Sequence, residues 1–173
     1  ELDEMAENIP IGSDGVVFLP YLCGSTMPKY NPDARGSFTG LTPEHTSAHF
    51  VRSIMEAVTS MLKGNLDYLN VPVDEIRVMG GGAKSKPWCE IKSAVLGKEI
   101  VTLKQNETAC LGSAIFAGVG IGVFKNPVQA SEKIVAVDKS YKVDNCAYEQ
   151  VYADYKVKEK YGIELKVEQE FVD

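Results

Sequence analysis

The chain has 173 residues, of which 45% are hydrophobic, 9% aromatic and 24% charged, a balance that excludes disordered, collagen-like and membrane-embedded classes. With 18 Lys and Arg against 24 Asp and Glu the formal net charge is −6, which argues against a nucleic acid or an anionic membrane as the main partner. A small phosphate ligand stays open, because backbone N–H groups beside an anion outweigh a diffuse net charge.

Four cysteines, Cys23, Cys89, Cys110 and Cys146, are scattered without a C-x-x-C pair. Neither a metal site nor a disulfide framework is implied, and a reducing, cytoplasmic setting fits best. No apolar run reaches the length of a membrane span, and Glu1-Leu2-Asp3-Glu4-Met5 is acidic rather than the basic start of a secretory signal. The lack of a starting Met is what an excised piece, a processed product or a cloning boundary would each give.

In chain order, Gly15 to Pro20 reads as a buried strand that leads into an irregular stretch, Tyr21 to Arg35, rich in Pro, Gly, Ser and Asn. A loop this long is a candidate binding or hinge surface, with simple packing as the equal alternative. Thr42-Pro43-Glu44-His45 predicts a helix start with Thr42 as cap, and apolar residues from Ala48 to Leu66 at three- and four-residue spacing predict a long amphipathic helix. His45 and His49, four apart, read as cap or surface residues because the Glu of H-E-x-x-H is missing. A strand at Ile76–Met79, a triple glycine, a helix from Ser85 to Gly97, a strand at Glu99–Leu103 and a helix at Glu107–Val119 follow. A strand-like segment, Ile134 to Val143, and a last helix, Asn145 to Tyr161, complete the order. Its Tyr148, Tyr152 and Tyr155 read as packing residues and the charged tail from Lys156 as prone to fraying. Alternating strand and helix predict an α/β layer with a partly parallel sheet.

The strongest candidate site is Gly80-Gly81-Gly82-Ala83-Lys84-Ser85, between a strand and a helix. Residues without Cβ let backbone N–H groups approach an anion, although a tight turn needing positive φ explains the glycines equally well. The stretch is not a P-loop, since Val78 and Ala83 occupy the two required glycine positions ahead of Lys84-Ser85. Gly118-Val119-Gly120-Ile121-Gly122 follows a helix and lacks the third glycine of a dinucleotide fingerprint. No carboxylate stands in a setting that marks a general base, so no catalytic residue and no metal ligand is named in this chain.

Three segments carry a resemblance: Gly15-Val16-Val17-Phe18-Leu19-Pro20-Tyr21-Leu22-Cys23-Gly24 with Pro28 to Leu41, Gly80 to Trp88 with Gly97, and Glu107-Thr108-Ala109-Cys110-Leu111-Gly112-Ser113-Ala114. Together, and in this order, they resemble the carboxy-terminal domain of the FGGY carbohydrate kinases, over nearly the whole chain. The resemblance implies a ribonuclease H-like, actin-type ATPase fold, a mixed sheet flanked by helices, with residues 1–173 as the nucleotide-binding domain and the sugar-binding, catalytic domain outside this chain. It implies ATP and Mg²⁺, a general base in the missing amino-terminal domain, and a homodimer as the family's frequent state. This chain alone is then expected to be inactive. By motif, Gly81, Gly82, Ala83 and Ser85 would line the phosphate and adenosine side, with Gly80 and Lys84 beside them. Within the family the segments are most similar to xylulose kinases, implying transfer of the γ-phosphoryl of ATP to the 5-hydroxyl of D-xylulose. Kinases of gluconate, ribulose and glycerol share this half, and Gly24-Ser25-Thr26-Met27-Pro28 departs from the family's common Gly-Glu-Arg-Thr-Pro. A non-catalytic interaction module that kept the fold is the rival reading.

Overall fold

The structure is a computed structural model and describes residues 2–27, 29–144 and 146–164. It divides into two compact units, residues 1–72 with 145–173, and residues 73–144.

The first unit contains α1 (Leu2–Glu7), β1 (Val17–Leu19), β2 (Ser37–Thr39), α2 (Ser47–Leu69) and α7 (Ala147–Glu164). β1 and β2 pair antiparallel with Phe18 opposite Phe38, and those rings stack at 4.5 Å between centroids. Phe18, Leu19, Tyr21, Ala34, Ala57 and Tyr155 form its buried cluster. Gly40 is held at φ +80°, and a Cβ there would lie 2.2 Å from the Gly15 carbonyl oxygen, so the turn after β2 admits no side chain.

α2 begins at Ser47 with Thr46 as its N-cap, one turn later than a cap at Thr42 would place it. The chain repeats Thr-x-x-His twice: Thr42 N–H donates to His45 Nδ1 at 2.8 Å, and Thr46 N–H donates to His49 Nδ1 at 3.1 Å. The first pair closes a turn and the second opens the helix. The His49 imidazole belongs to the cap of α2 and the His45 imidazole to the preceding turn, and His49 Nε2 meets Asp14 Oδ2 at 3.0 Å.

The buried face of α2 is only partly the apolar stripe: Met55 and Ala57 are buried and Met61 packs on the core, but Ile54 is exposed while Arg52, Ser53, Glu56, Thr59 and Ser60 are buried. The reason is a polar network. Glu56 accepts from Arg52 Nε (2.8 Å), Gly12 N–H (3.1 Å) and Ser13 Oγ (3.0 Å), and Arg52 donates to Ala6 O and to the Tyr148 hydroxyl. Each ion thereby has several partners, the condition under which burial of charge is tolerated. Burial, then the nearby Glu56 carboxylate, pushes the Tyr148 hydroxyl up to about 12. Tyr155 meets Tyr21 at 3.3 Å and Tyr21 donates to Glu159, so the tyrosines of α7 are packed with their polar tips satisfied. α7 runs to Glu164; the expected helix start at Asn145 and the end of the charged tail fall outside the described residues.

The Tyr21–Arg35 stretch is an ordered loop closed by reciprocal backbone bonds between Ser25 and Asn31, both 2.8 Å, with Pro28 outside the described residues.

The second unit holds β3 (Glu75–Val78), α3 (Gly81–Lys84), α4 (Lys86–Leu96), β4 (Glu99–Leu103), α5 (Thr108–Gly120), α6 (Pro127–Ile134) and β5 (Val137–Tyr141). Its sheet has the order β3-β4-β5, with β3 and β4 parallel and β5 antiparallel to β4, so the predicted mixed sheet is present. β4 is central and buried, its Ile100, Val101 and Leu103 lying in the core. The segment before β5 contains α6, started by Asn126, whose Oδ1 accepts from Gln129 N–H at 2.8 Å, with Pro127 at the first helical position. Buried Ser93 ties α4 to its surroundings: its Oγ donates to Lys98 O and accepts from Val143 N–H, both at 2.9 Å. Among the described residues no helix is long and apolar enough to cross a membrane.

Candidate functional site

β3 and β4 are joined through α3 and α4, a parallel connection that places the glycine segment at the carboxyl end of β3. In open α/β sheets, ligands bind at that edge of the parallel strands.

The segment is built as follows. Gly80 sits at φ 70° and ψ −156°, a region open essentially to glycine alone, and turns the chain out of the sheet. Gly81, Gly82, Ala83 and Lys84 form one helical turn, α3, whose first N–H groups have no acceptor within the turn. Ala83 N–H donates to Gly80 O at 3.2 Å and its methyl is buried. Ser85 is buried, and its Oγ caps α4 by accepting from Trp88 N–H at 3.3 Å. Lys84 is exposed. The six residues therefore lie together, but with unlike surroundings.

Space around the three glycines separates them. A Cβ at Gly80 or at Gly81 would meet nothing within 4 Å, so the approach to the backbone is open. At Gly82 a Cβ would meet the Trp88 ring at 3.2 Å and Lys92 Nζ at 3.3 Å. That glycine is packed from behind, and Lys92, one of the two residues that pack it, carries no motif that would single it out in the sequence.

Lys92 lies on α4, only 8% exposed. Its Nζ donates to the Gly82 carbonyl at 3.2 Å and stands 4.1 Å from the centre of the Trp88 ring. Burial lowers the Lys92 ammonium below the usual lysine range. The thiol of Cys89, fully buried, faces the Gly82 and Ala83 carbonyls at 3.7 and 3.8 Å. The one sequence signal for Lys92 was its spacing: it stands four residues after Trp88, hence on the same helix face.

On the other side, Thr108 at the start of α5 donates to Met79 Sδ at 2.8 Å. The helix that follows β4 thus begins beside the exit from β3, and the carboxyl edge of both parallel strands opens on one place. Among the described residues no three His, Cys, Asp or Glu side chains are grouped so as to hold a metal ion. The glycine turn offers bare backbone donors backed by a buried cation, an arrangement suited to binding an anion.

Comparison with known proteins agrees with the segments noted in the sequence. The family model for the "FGGY family of carbohydrate kinases, C-terminal domain" matches residues 2–121. The chain is similar to a xylulose kinase of Staphylococcus epidermidis, 33% identical over 161 residues, which is 90% of this chain and 32% of that protein. It is similar to a gluconokinase of Bacillus subtilis, 32% identical over 152 residues, covering 86% of this chain and 30% of that protein. Among solved structures, a ligand-bound xylulose kinase from Lactobacillus acidophilus superposes with a TM-score of 0.79 at 25% identity, covering 94% of this chain and 34% of that one. The chain spans about a third of the length of the curated relatives it matches.

Proposed function

Because this chain belongs to the FGGY family of carbohydrate kinases, we propose that residues 1–173 form the nucleotide-binding domain of an ATP-dependent kinase that converts D-xylulose to D-xylulose 5-phosphate. The observation that carries the reading is the glycine turn at the carboxyl edge of β3, with open approaches at Gly80 and Gly81. The actin-type ATPase fold of its structural neighbours supports it.

In this reading the N–H groups of Gly81 and Gly82 face nucleotide phosphate. Gly80 and Ala83 shape the turn, and Ser85 fixes the start of α4. Exposed Lys84 adds a mobile positive charge near phosphate. Mg²⁺ would be carried by phosphate oxygens, since that ion keeps several waters and few protein ligands. Phosphoryl transfer forms a bond from a sugar hydroxyl oxygen to Pγ and breaks the bond from Pγ to the bridging oxygen, releasing ADP. Positioning and charge neutralisation dominate that step, and the base that takes the hydroxyl proton is assigned to an amino-terminal domain.

The sugar is the finer part of the proposal. Xylulose kinase and gluconokinase relatives stand at 33% and 32% identity, so gluconate, with ribulose and glycerol, is the alternative substrate class. Two experiments test the reading. Calorimetry of the folded chain with Mg-ADP should show binding with a dissociation constant below about 1 mM, and no binding would remove the nucleotide assignment. Turnover of the full-length enzyme, compared across D-xylulose, gluconate, ribulose and glycerol, should be fastest with D-xylulose; a faster rate on another substrate would reassign it.

A further inference from the structure

Charged lysines are almost never fully buried unless an anion pairs with them. Lys92 is 8% exposed, and among the described residues no carboxylate pairs with it. Its neighbours are a carbonyl oxygen, Gly82 O at 3.2 Å, the π-face of Trp88 at 4.1 Å, and the Cys89 thiol, which shares the Gly82 carbonyl and interacts electrostatically with the ammonium. An ammonium has three donors, and these neighbours include no carboxylate counterion.

The direction of the contact matters. In a helical turn the C=O groups point one way along the axis and the N–H groups the other. A cation that holds the Gly82 carbonyl therefore stands on the carbonyl side of the turn, opposite the side its N–H groups face. The same charge raises the positive potential at those donors. A buried cation lacking a carboxylate, directly behind backbone donors with no acceptor in their own turn, is complementary to one kind of ligand group.

We propose that Lys92 is the positioning residue of the glycine turn: it holds the Gly82 carbonyl and supplies the positive charge that selects a phosphate-bearing nucleotide over the bare nucleoside. The proposal rests on the nucleotide reading above and adds to it which side chain sets phosphate affinity. Trp88 is part of the device, since its ring keeps the ammonium in place without neutralising it.

The test compares two variants against the unaltered chain. Lys92→Met keeps length and apolar bulk and removes charge and donor, and replacing a buried charge by an apolar residue of like size commonly leaves stability intact. Lys92→Arg keeps the charge. Mg-ADP binding is measured by calorimetry, adenosine binding by ligand-observed NMR, and folding by thermal melting. Loss of one charge-assisted interaction should weaken Mg-ADP roughly tenfold in Lys92→Met. Adenosine binding should not change, and Lys92→Arg should stay within about threefold of the unaltered chain for Mg-ADP. Equal Mg-ADP affinity in Lys92→Met and the unaltered chain overturns the proposal while leaving the nucleotide site in place. Parallel loss of Mg-ADP and adenosine in a folded Lys92→Met overturns it too, because that is what a packing role under Trp88 would give. Failure of the unaltered chain to bind Mg-ADP removes the nucleotide reading and this proposal with it. Should Lys92→Met not fold, the Arg variant decides: a fall in Mg-ADP affinity matched by an equal fall in adenosine affinity counts against the proposal, whereas retained affinity for both supports it.

Discussion

Replacing Gly81 by Ala separates binding from folding at the candidate site. Gly81 lies in the helical turn α3, and a Cβ there meets nothing within 4 Å. With no clash and no left-handed backbone to strain, the methyl group should act mainly on the unfolded chain. Gly→Ala at a compatible position raises stability by about 0.4–1 kcal/mol, which for a chain of this length is a rise in Tm of up to about 4 °C. The same methyl stands in the open space where a phosphate would approach the Gly81 and Gly82 N–H groups. Losing one or two charge-assisted hydrogen bonds, at about 1.5–3 kcal/mol each, weakens Mg-ADP by at least roughly tenfold. Calorimetric titration beside a thermal melt reads both quantities on one sample. A variant that melts at or above the unaltered chain and binds Mg-ADP more weakly supports the site, whereas unchanged affinity in a folded Gly81→Ala refutes it. Gly82 is the poorer position for this test, because its Cβ would press on Trp88 and Lys92 and mix packing with binding.

Three further outcomes concern the first unit. Gly40→Ala should cost roughly 1–3 kcal/mol or more, from the positive φ and the 2.2 Å approach to Gly15 O, and a loss under about 0.5 kcal/mol in urea unfolding would contradict it. Arg52→Met leaves the Glu56 carboxylate buried without its cation and should cost about 3–5 kcal/mol; denaturant titration giving less than about 1 kcal/mol would show that the network is not needed. The folded state favours neutral Tyr148, whose hydroxyl is pushed up to about 12, so its share of stability is complete below about pH 10 and lost as pH climbs toward 12. That share is roughly 3 kcal/mol, and Tyr148→Phe should flatten the stability curve over that window; an unchanged alkaline slope would show that the hydroxyl does not titrate with folding.

Where local chemistry decides an element, the sequence was sufficient. Glu99–Leu103 is a short β-branched run bounded by turns, and it is β4 residue for residue. Ser85 and Gly97 bracket α4 as N-cap and C-cap, the roles that Ser and Gly have in any helix of that kind. α2 fails the same test because Thr42 and Thr46 are equally good local caps. Nothing local separates them, and both histidines reach distant Asp14, His45 Nε2 at its carbonyl oxygen (3.3 Å) and His49 Nε2 at its carboxylate (3.0 Å). Arg52 and Glu56 look like an ordinary exposed i,i+4 pair, and only Gly12, Ser13, Ala6 and Tyr148, all distant in sequence, make their burial possible. β1 and β2 illustrate the intermediate case: apolar Val17 to Leu19 was legible, but its partner Ser37–Thr39 has too little pattern of its own to declare a strand.

The candidate site divides along the same line, and the division has a consequence for reading relatives. In the proposed site, what would face a ligand is backbone, so it shows in sequence as missing side chains, Gly80 to Gly82. What holds the backbone in place is made of Trp88, Lys92 and the Ser85 cap, which look like ordinary members of a helix. A chain that kept all three glycines while losing the Trp88–Lys92 stack would still resemble the family, yet its Gly82 carbonyl would keep only the weak Cys89 thiol contact at 3.7 Å and its turn would be freer to present other groups. Nucleotide affinity in such a chain should follow the residue at position 92 rather than the glycine count, because a turn built from glycine has no side chains of its own with which to choose one conformation.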